Sequence, residues 1–171
     1  LMQIIRLCIS YVFRRSICDV PPNSLNKTFA TLRNEIRSND YLNSIKAFFV
    51  LQDGYKEFPN DERFTTAFMT RDVYNMRSRN FILRQLENFG NKAPICIENY
   101  TIEHIMPQNR NLSPEWQEML GPNWKDVQKT YLHTIGNLTL TAYNSEMSDH
   151  SFLTKIDMEG GFKESALRLN S

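Results

Sequence analysis

The sequence predicts a mainly α-helical protein with a small ββα unit embedded in its second half. Three observations carry that prediction. From residue 2 to residue 89, apolar side chains recur every three or four positions, the period of amphipathic helices. After Asn91-Lys92-Ala93-Pro94 that period gives way to a β-prone run from Ile95 to Ile102. Further on, Leu138 and Leu140 alternate with Thr139 and Thr141, as in a half-buried strand, and a helical pattern follows from Asn144 or Ser145 to about Lys155.

The helices follow in order. Residues 2–15 form the first, with Ile5, Cys8, Ile9 and Val12 on one face and Ile4, Leu7 and Tyr11 on another. A helix apolar on most sides is expected to be a central one. Arg14 and Arg15 at its end suit the helix dipole. Val20-Pro21-Pro22-Asn23 breaks it. A second helix, capped by Asn23 or Ser24, carries the stripe Leu25, Phe29, Leu32 and Ile36. A third, capped by Asn39 or Asp40, turns Leu42, Ile45 and Phe49 inward and ends near Asp53-Gly54. A short fourth starts at Pro59-Asn60 and carries Phe64 and Phe68. A fifth is expected over roughly 71–89, with Ile82, Leu86 and Phe89 on one face. Arg71, Arg77, Arg79 and Arg84 make this segment either a solvated helix face or a basic patch.

Residues 109–131 read as a polar helical insertion. Ser113-Pro114 starts one helix with Trp116, Met119 and Leu120 on its apolar side, and Gly121-Pro122 stops it. A second runs over about 123–131 with Trp124, Val127 and Tyr131. Gly160-Gly161 ends the ββα unit, and residues 162–169 begin a last amphipathic helix. The division expected from this pattern is a helical scaffold over 1–93 and a ββα subdomain with a helical insertion over 94–171, together one module of a longer protein. The chain opens on Leu1 in mid-pattern, which fits that expectation.

Composition sets outer limits. With 41% hydrophobic and 12% aromatic residues, the 171-residue chain can bury a core, so disorder is not the default reading. Residues 1–90 hold 13 Lys/Arg against 9 Asp/Glu, and residues 91–171 hold 7 against 10. The acidic excess therefore lies in the half with the strand pattern. Cys8, Cys18 and Cys96 form no CxxC pair, which argues against a zinc ribbon or a disulfide framework. The odd count suits a reducing compartment, so a cytoplasmic location is expected. The apolar start, interrupted by Gln3 and Arg6, is too short to span a bilayer.

The chemistry concentrates at two junctions. One is Tyr100-Thr101-Ile102-Glu103-His104-Ile105-Met106-Pro107-Gln108, and the other is Leu132-His133-Thr134-Ile135-Gly136-Asn137-Leu138-Thr139-Leu140-Thr141, followed by Asn144. Hydrolysis of a phosphodiester needs a base for water and positive charge against the transition state. A neutral imidazole supplies the first and a divalent ion the second. His104 has the intrinsic pKa of such a base. Glu103 offers a hard carboxylate ligand and Asn144 an amide oxygen, a sparse shell that suits Mg²⁺. Asn137 is placed to hydrogen-bond backbone and pin the loop that carries His104.

These residues resemble the His-Asn-His (HNH) branch of the ββα-metal, or His-Me finger, nucleases. With Phe152 and Lys155 added, they look more narrowly like the C-terminal nuclease domain of GmrSD-like restriction proteins. The resemblance implies a metal-dependent DNA endonuclease or nickase of an anti-phage restriction system, acting on modified phage DNA and using Mg²⁺ or Mn²⁺. It implies as partner an N-terminal ParB-like nucleotide-hydrolysing domain or subunit. The implied catalytic set is His104 as general base, Asn137 as the middle structural Asn, and Lys155. Glu103 and Asn144 are the implied metal ligands, and His133, Arg77 and Arg84 are candidate phosphate contacts. Lys155 would touch phosphate or be a plain helix-surface Lys, and His133 would touch phosphate, assist the metal or make a structural hydrogen bond. The spacing of seven from Asn137 to Asn144 is tighter than in many HNH enzymes. The alternative is a non-catalytic DNA- or protein-binding helical module with a degenerate finger.

Overall fold

Apolar periodicity places four helices in the first 70 residues, and the computed structural model, which describes residues 1–171, has all four. They are α1 (Met2–Ile17), α2 (Leu25–Glu35), α3 (Tyr41–Val50) and α4 (Asp61–Thr70). The chain divides into two units, Leu1–Met69 and Thr70–Ser171.

In the first unit Tyr11, Leu32, Ile45 and Phe49 form the core, with Ile4, Leu7, Cys8 and Phe29 packed against it. The Tyr11 ring stacks on Phe49, centroids 4.4 Å apart. Burial of four such side chains is worth about 1.5–3 kcal/mol each before conformational entropy is charged. The core takes only the Ile4–Leu7–Cys8–Tyr11 side of α1. Ile5, Ile9 and Val12 stay 42%, 48% and 38% exposed, so α1 is amphipathic rather than central on all sides. Arg14 and Arg15 lie in the last turn of α1, as the dipole reading expects, and both also make tertiary contacts. Arg14 pairs with Asp61. Arg15 is buried, and its guanidinium donates to the carbonyls of Glu57, Pro21 and Tyr55 and to Ser24 Oγ at 2.8–3.1 Å.

The second unit holds α5 (Arg79–Glu87), β1 (Thr101–His104), α6 (Pro114–Leu120), α7 (Trp124–Tyr131), β2 (Leu138–Thr141), α8 (Asn144–Met147) and α9 (Phe152–Asp157). The helix expected over 71–89 begins only at Arg79. Asp72 accepts from Asn75 N at 3.0 Å, a local turn that competes with helix. The amides of Val73 and Tyr74 donate instead to the His133 carbonyl, at 2.9 and 3.2 Å. Helix α5 lies in the second unit, with the strands. Buried Glu87 accepts the backbone amides of Arg168 and Leu169 at 3.0 and 3.1 Å, tying α5 to the C-terminal segment. That segment forms 3-10 turns, Phe162–Glu164 and Arg168–Asn170, where an amphipathic helix is expected from the pattern.

The two strands are antiparallel, with Ile102 opposite Leu140, Glu103 opposite Thr139 and His104 opposite Leu138. The first is shorter and later than the β-prone run at 95–102 suggests. The second is buried on both faces rather than half-buried. Thr139 reaches Asn170, and Thr141 Oγ1 accepts from Tyr143 N at 3.0 Å, so its polar side is covered by protein. The insertion forms α6 and α7 as its pattern predicts, and Ser113 caps α6 by accepting from Trp116 N. Met106, Leu112 and Trp116 form a second small core there, with Leu120, Trp124 and Phe152 against it. Buried Gln128 on α7 donates to the carbonyls of Pro107 and Asn109 at 2.9 and 2.8 Å. Helix α7 thereby fixes the chain just after β1.

Candidate active site

Strand alternation sends Glu103 and His104 to opposite faces of the hairpin. Each meets a different set of partners, and both still border one cleft of about 150 Å³ at the strand end. Asn144, Ser148 and Asp149 close its other side, with Pro107 and Gln108 at its edge.

Glu103 is 5% exposed, and its Oε1 lies 2.5 Å from Lys155 Nζ. Lys155, fully buried, also donates to the carbonyls of His104 and Ile105 at 3.0 and 3.2 Å. Its three ammonium protons are thus directed at three acceptors. Burial pushes the Glu103 pKa up, while Lys155 pulls it down and the nearby Asp149 charge adds to the rise. The geometry of Lys155 does not fit the expected phosphate contact: it anchors Glu103 and the end of β1.

His104 is 4% exposed, and its Nε2 lies 3.1 Å from His133 Nδ1. Burial, with the His133 and Lys155 charges adding to it, lowers its pKa from 6.5 to about 4, so the ring is neutral at pH 7. Tyr74 stacks on His133 with 13° between the planes and meets the His104 ring edge-on, centroids 4.5 Å apart. His133 is therefore placed behind His104, among protein groups.

Asn137 is buried and ties three backbone groups together. Its Oδ1 accepts from Met106 N at 2.7 Å, and its Nδ2 donates to the carbonyls of Met106 and Leu132 at 3.1 and 2.9 Å. It links the loop before β2 to the chain leaving β1. Asn144, the first residue of α8, donates its Nδ2 to the Ile102 carbonyl at 2.8 Å. That bond spends the amide nitrogen and leaves the amide oxygen for a ligand.

Asp149 lines the cleft although the sequence pattern gave it no role. The helix expected from residue 144 to 155 is broken into α8 and α9, with Ser148 at φ +37° between them. Ser151 starts α9 by accepting from Thr154 N. The break turns Asp149 toward the cleft, where its Oδ2 accepts from Asn109 Nδ2 at 2.8 Å. The signal lay in Ser148-Asp149-His150-Ser151, four turn or cap residues inside an apparent helix. Tyr74 also escaped sequence reasoning, because it was expected on a helix.

Glu103, Asn144 and Asp149 give the cleft three hard oxygen donors. No three His, Cys, Asp or Glu side chains cluster tightly enough to cage an ion. The donor set suits an ion that keeps several waters, as Mg²⁺ does, and not a closed zinc site. Arg77 and Arg84 are exposed and lie outside this cleft. Arg84 borders a separate hollow with Asn80, Phe81, Glu98 and Tyr100. Arg79 is engaged with Tyr74, donating to its carbonyl at 2.8 Å. The four arginines of residues 71–84 therefore do not act as one set around the cleft.

The model of the family described as GmrSD restriction endonucleases, C-terminal domain, matches residues 58–171. The chain belongs to that family. The match spans α4, the hairpin, the insertion and every residue of the cleft in this GmrSD C-terminal domain. No curated protein and no solved structure matches the chain. No helix of the domain is long and apolar enough to cross a membrane.

Proposed function

We propose that this GmrSD C-terminal domain is an HNH-type endonuclease or nickase that hydrolyses DNA phosphodiesters with Mg²⁺ or Mn²⁺, as part of a restriction system against phage DNA. The observation that carries this reading is the convergence of His104, Glu103, Asn144 and Asp149 on one cleft at the junctions of a ββα hairpin. His104 is neutral at pH 7 and can take a proton. Water gives its proton to the imidazole as its oxygen bonds to phosphorus. The bond from phosphorus to the leaving oxygen then breaks, and that oxygen takes a proton from solvent. Glu103, Asn144 and Asp149 would hold the divalent ion. When bound, it supplies positive charge that stabilises the phosphoryl oxygens and the leaving alkoxide. Lys155 keeps Glu103 in place from behind, and Asn137 keeps the two junctions in register. Exposed Arg77 and Arg84 are the cations proposed to meet the DNA backbone, which would position the duplex without reading its sequence.

A supercoiled-plasmid assay tests the reading. The expected result is nicking or linearisation with Mg²⁺ or Mn²⁺, abolished by chelator and by His104→Ala. Cleavage that survives His104→Ala at the wild-type rate contradicts it.

A further inference from the structure

The candidate base does not stand alone. His104 Nε2 meets His133 Nδ1 at 3.1 Å, and no protein group is within hydrogen-bond distance of His104 Nδ1. Only one of the two facing nitrogens can carry the proton between them, so the tautomers of the rings are coupled. The surroundings favour one arrangement. Residues 72–74 wrap His133: the Val73 and Tyr74 amides hold its carbonyl, and the Tyr74 ring lies parallel to its imidazole at 5.2 Å. The Asp72 carboxylate, held by Asn75, is near enough for its charge to act on both imidazoles. His104 Nδ1 is the ring nitrogen with no protein partner, so a lone pair kept there puts the shared proton on His104 Nε2 and makes His133 Nδ1 its acceptor.

We propose that His133 is a positioning residue for His104. It accepts a hydrogen bond from His104 Nε2–H, and so holds His104 in the tautomer whose Nδ1 lone pair serves the cleft. The proposal rests on the nuclease reading for its catalytic consequence, and on the 3.1 Å contact together with the unpartnered His104 Nδ1 for the tautomer. Tyr74 and the 72–75 turn are its support, because they fix the plane and the height of the His133 ring. This gives the broken start of the expected fifth helix a purpose. A helix begun at Arg71 would turn the Val73 and Tyr74 amides along its own axis, away from the His133 carbonyl they hold here.

Two measurements on the whole chain test it. Imidazole ¹⁵N NMR at neutral pH assigns the proton on each ring. The expected result is His104 protonated at Nε2 in wild type, with loss of that fixed tautomer in His133→Phe. His104 protonated at Nδ1 in wild type would overturn the proposal. Plasmid cleavage with Mn²⁺ then reads the consequence. In His133→Phe, kcat is expected to fall about 10–100-fold with KM little changed, the share of general-base catalysis that orientation controls. His133→Asn places an amide oxygen where Nδ1 stood, and it is expected to recover most of that loss if the acceptor matters. If His133→Phe is poorly folded, His133→Asn and the wild-type spectrum still decide. Equal losses in the two variants, both folded, would overturn the proposal. A wild-type protein that cuts no plasmid would sink the nuclease reading, and the wild-type spectrum would still decide the tautomer.

Discussion

Each unit of the chain buries one cation completely, and the two are solved in opposite ways. Arg15 in the first unit meets three backbone carbonyls and a serine hydroxyl, with no carboxylate among its hydrogen-bond acceptors. Lys155 in the second meets two carbonyls and the carboxylate of Glu103. The guanidinium fork crosslinks several loop segments at once, a use that suits Arg and that Lys cannot copy. The ammonium instead neutralises one acid that would otherwise sit buried and unpaired beside a cleft. A buried ion pair is weak support for stability, since hydrophobic replacement is often neutral or better. Its presence at Lys155 fits the role proposed for Glu103 at its other oxygen. The Arg15 cluster ties loop segments together, and the Lys155 cluster holds the carboxylate proposed as a metal ligand.

The comparison can be broken by substitution. Lys155→Met leaves the Glu103 charge buried without a partner, and is expected to cost about 3–5 kcal/mol in urea or thermal unfolding. Adding Glu103→Gln removes the stranded charge and should return much of that stability, while cleavage stays lost. A double variant no more stable than Lys155→Met would mean that Lys155 acts chiefly through the His104 and Ile105 carbonyls. Arg15→Lys keeps the charge but abandons most of its acceptors, with an expected loss of about 2–3 kcal/mol. Asn137→Ala leaves Met106 N and two carbonyls without their partner. About 2 kcal/mol should go with it, and the amides of residues 104–106 should exchange faster. Gly160 has φ +70°, and a β-carbon there would sit 2.7 Å from the Tyr143 ring. Gly160→Ala is expected to cost about 1–2 kcal/mol by strain and overpacking.

A further expected effect is one of pH. His104 has its pKa lowered from 6.5 to about 4 on folding, so protons bind the unfolded chain more readily in that range. Its contribution to stability is complete above about pH 6.5 and is lost as the pH falls toward 4. Thermal unfolding of His104→Gln should therefore depend less on pH between 4 and 6.5 than that of wild type. Equal slopes would mean that the ring is not held neutral.

The sequence made the helices legible wherever one face carried the core, as in the stripe Leu25, Phe29, Leu32 and Ile36 of α2. It misplaced elements where a side chain competes locally with the backbone ladder. Asp72 delays the start of α5, and Ser148 with Ser151 splits α8 from α9. One break borders the cleft and the other packs Tyr74 against His104, so each delivers a residue that periodicity concealed, Asp149 in the first case and Tyr74 in the second. Glu103, His104, Asn137 and Asn144 were readable because they sit at junctions where the pattern changes period. The burial of Lys155 was not, because an isolated Lys in an amphipathic segment carries no sign of a carboxylate 52 residues earlier.

The central claim is that Glu103, Asn144 and Asp149 hold one divalent ion beside a neutral His104. Its most direct test is an anomalous difference map from crystals of the protein soaked in Mn²⁺. The account predicts a peak in the cleft within bonding distance of an oxygen of Glu103, Asn144 or Asp149, and loss of that peak in Glu103→Ala combined with Asp149→Ala. A peak bonded to His104 and His133, or no peak in the cleft at saturating Mn²⁺, would contradict it.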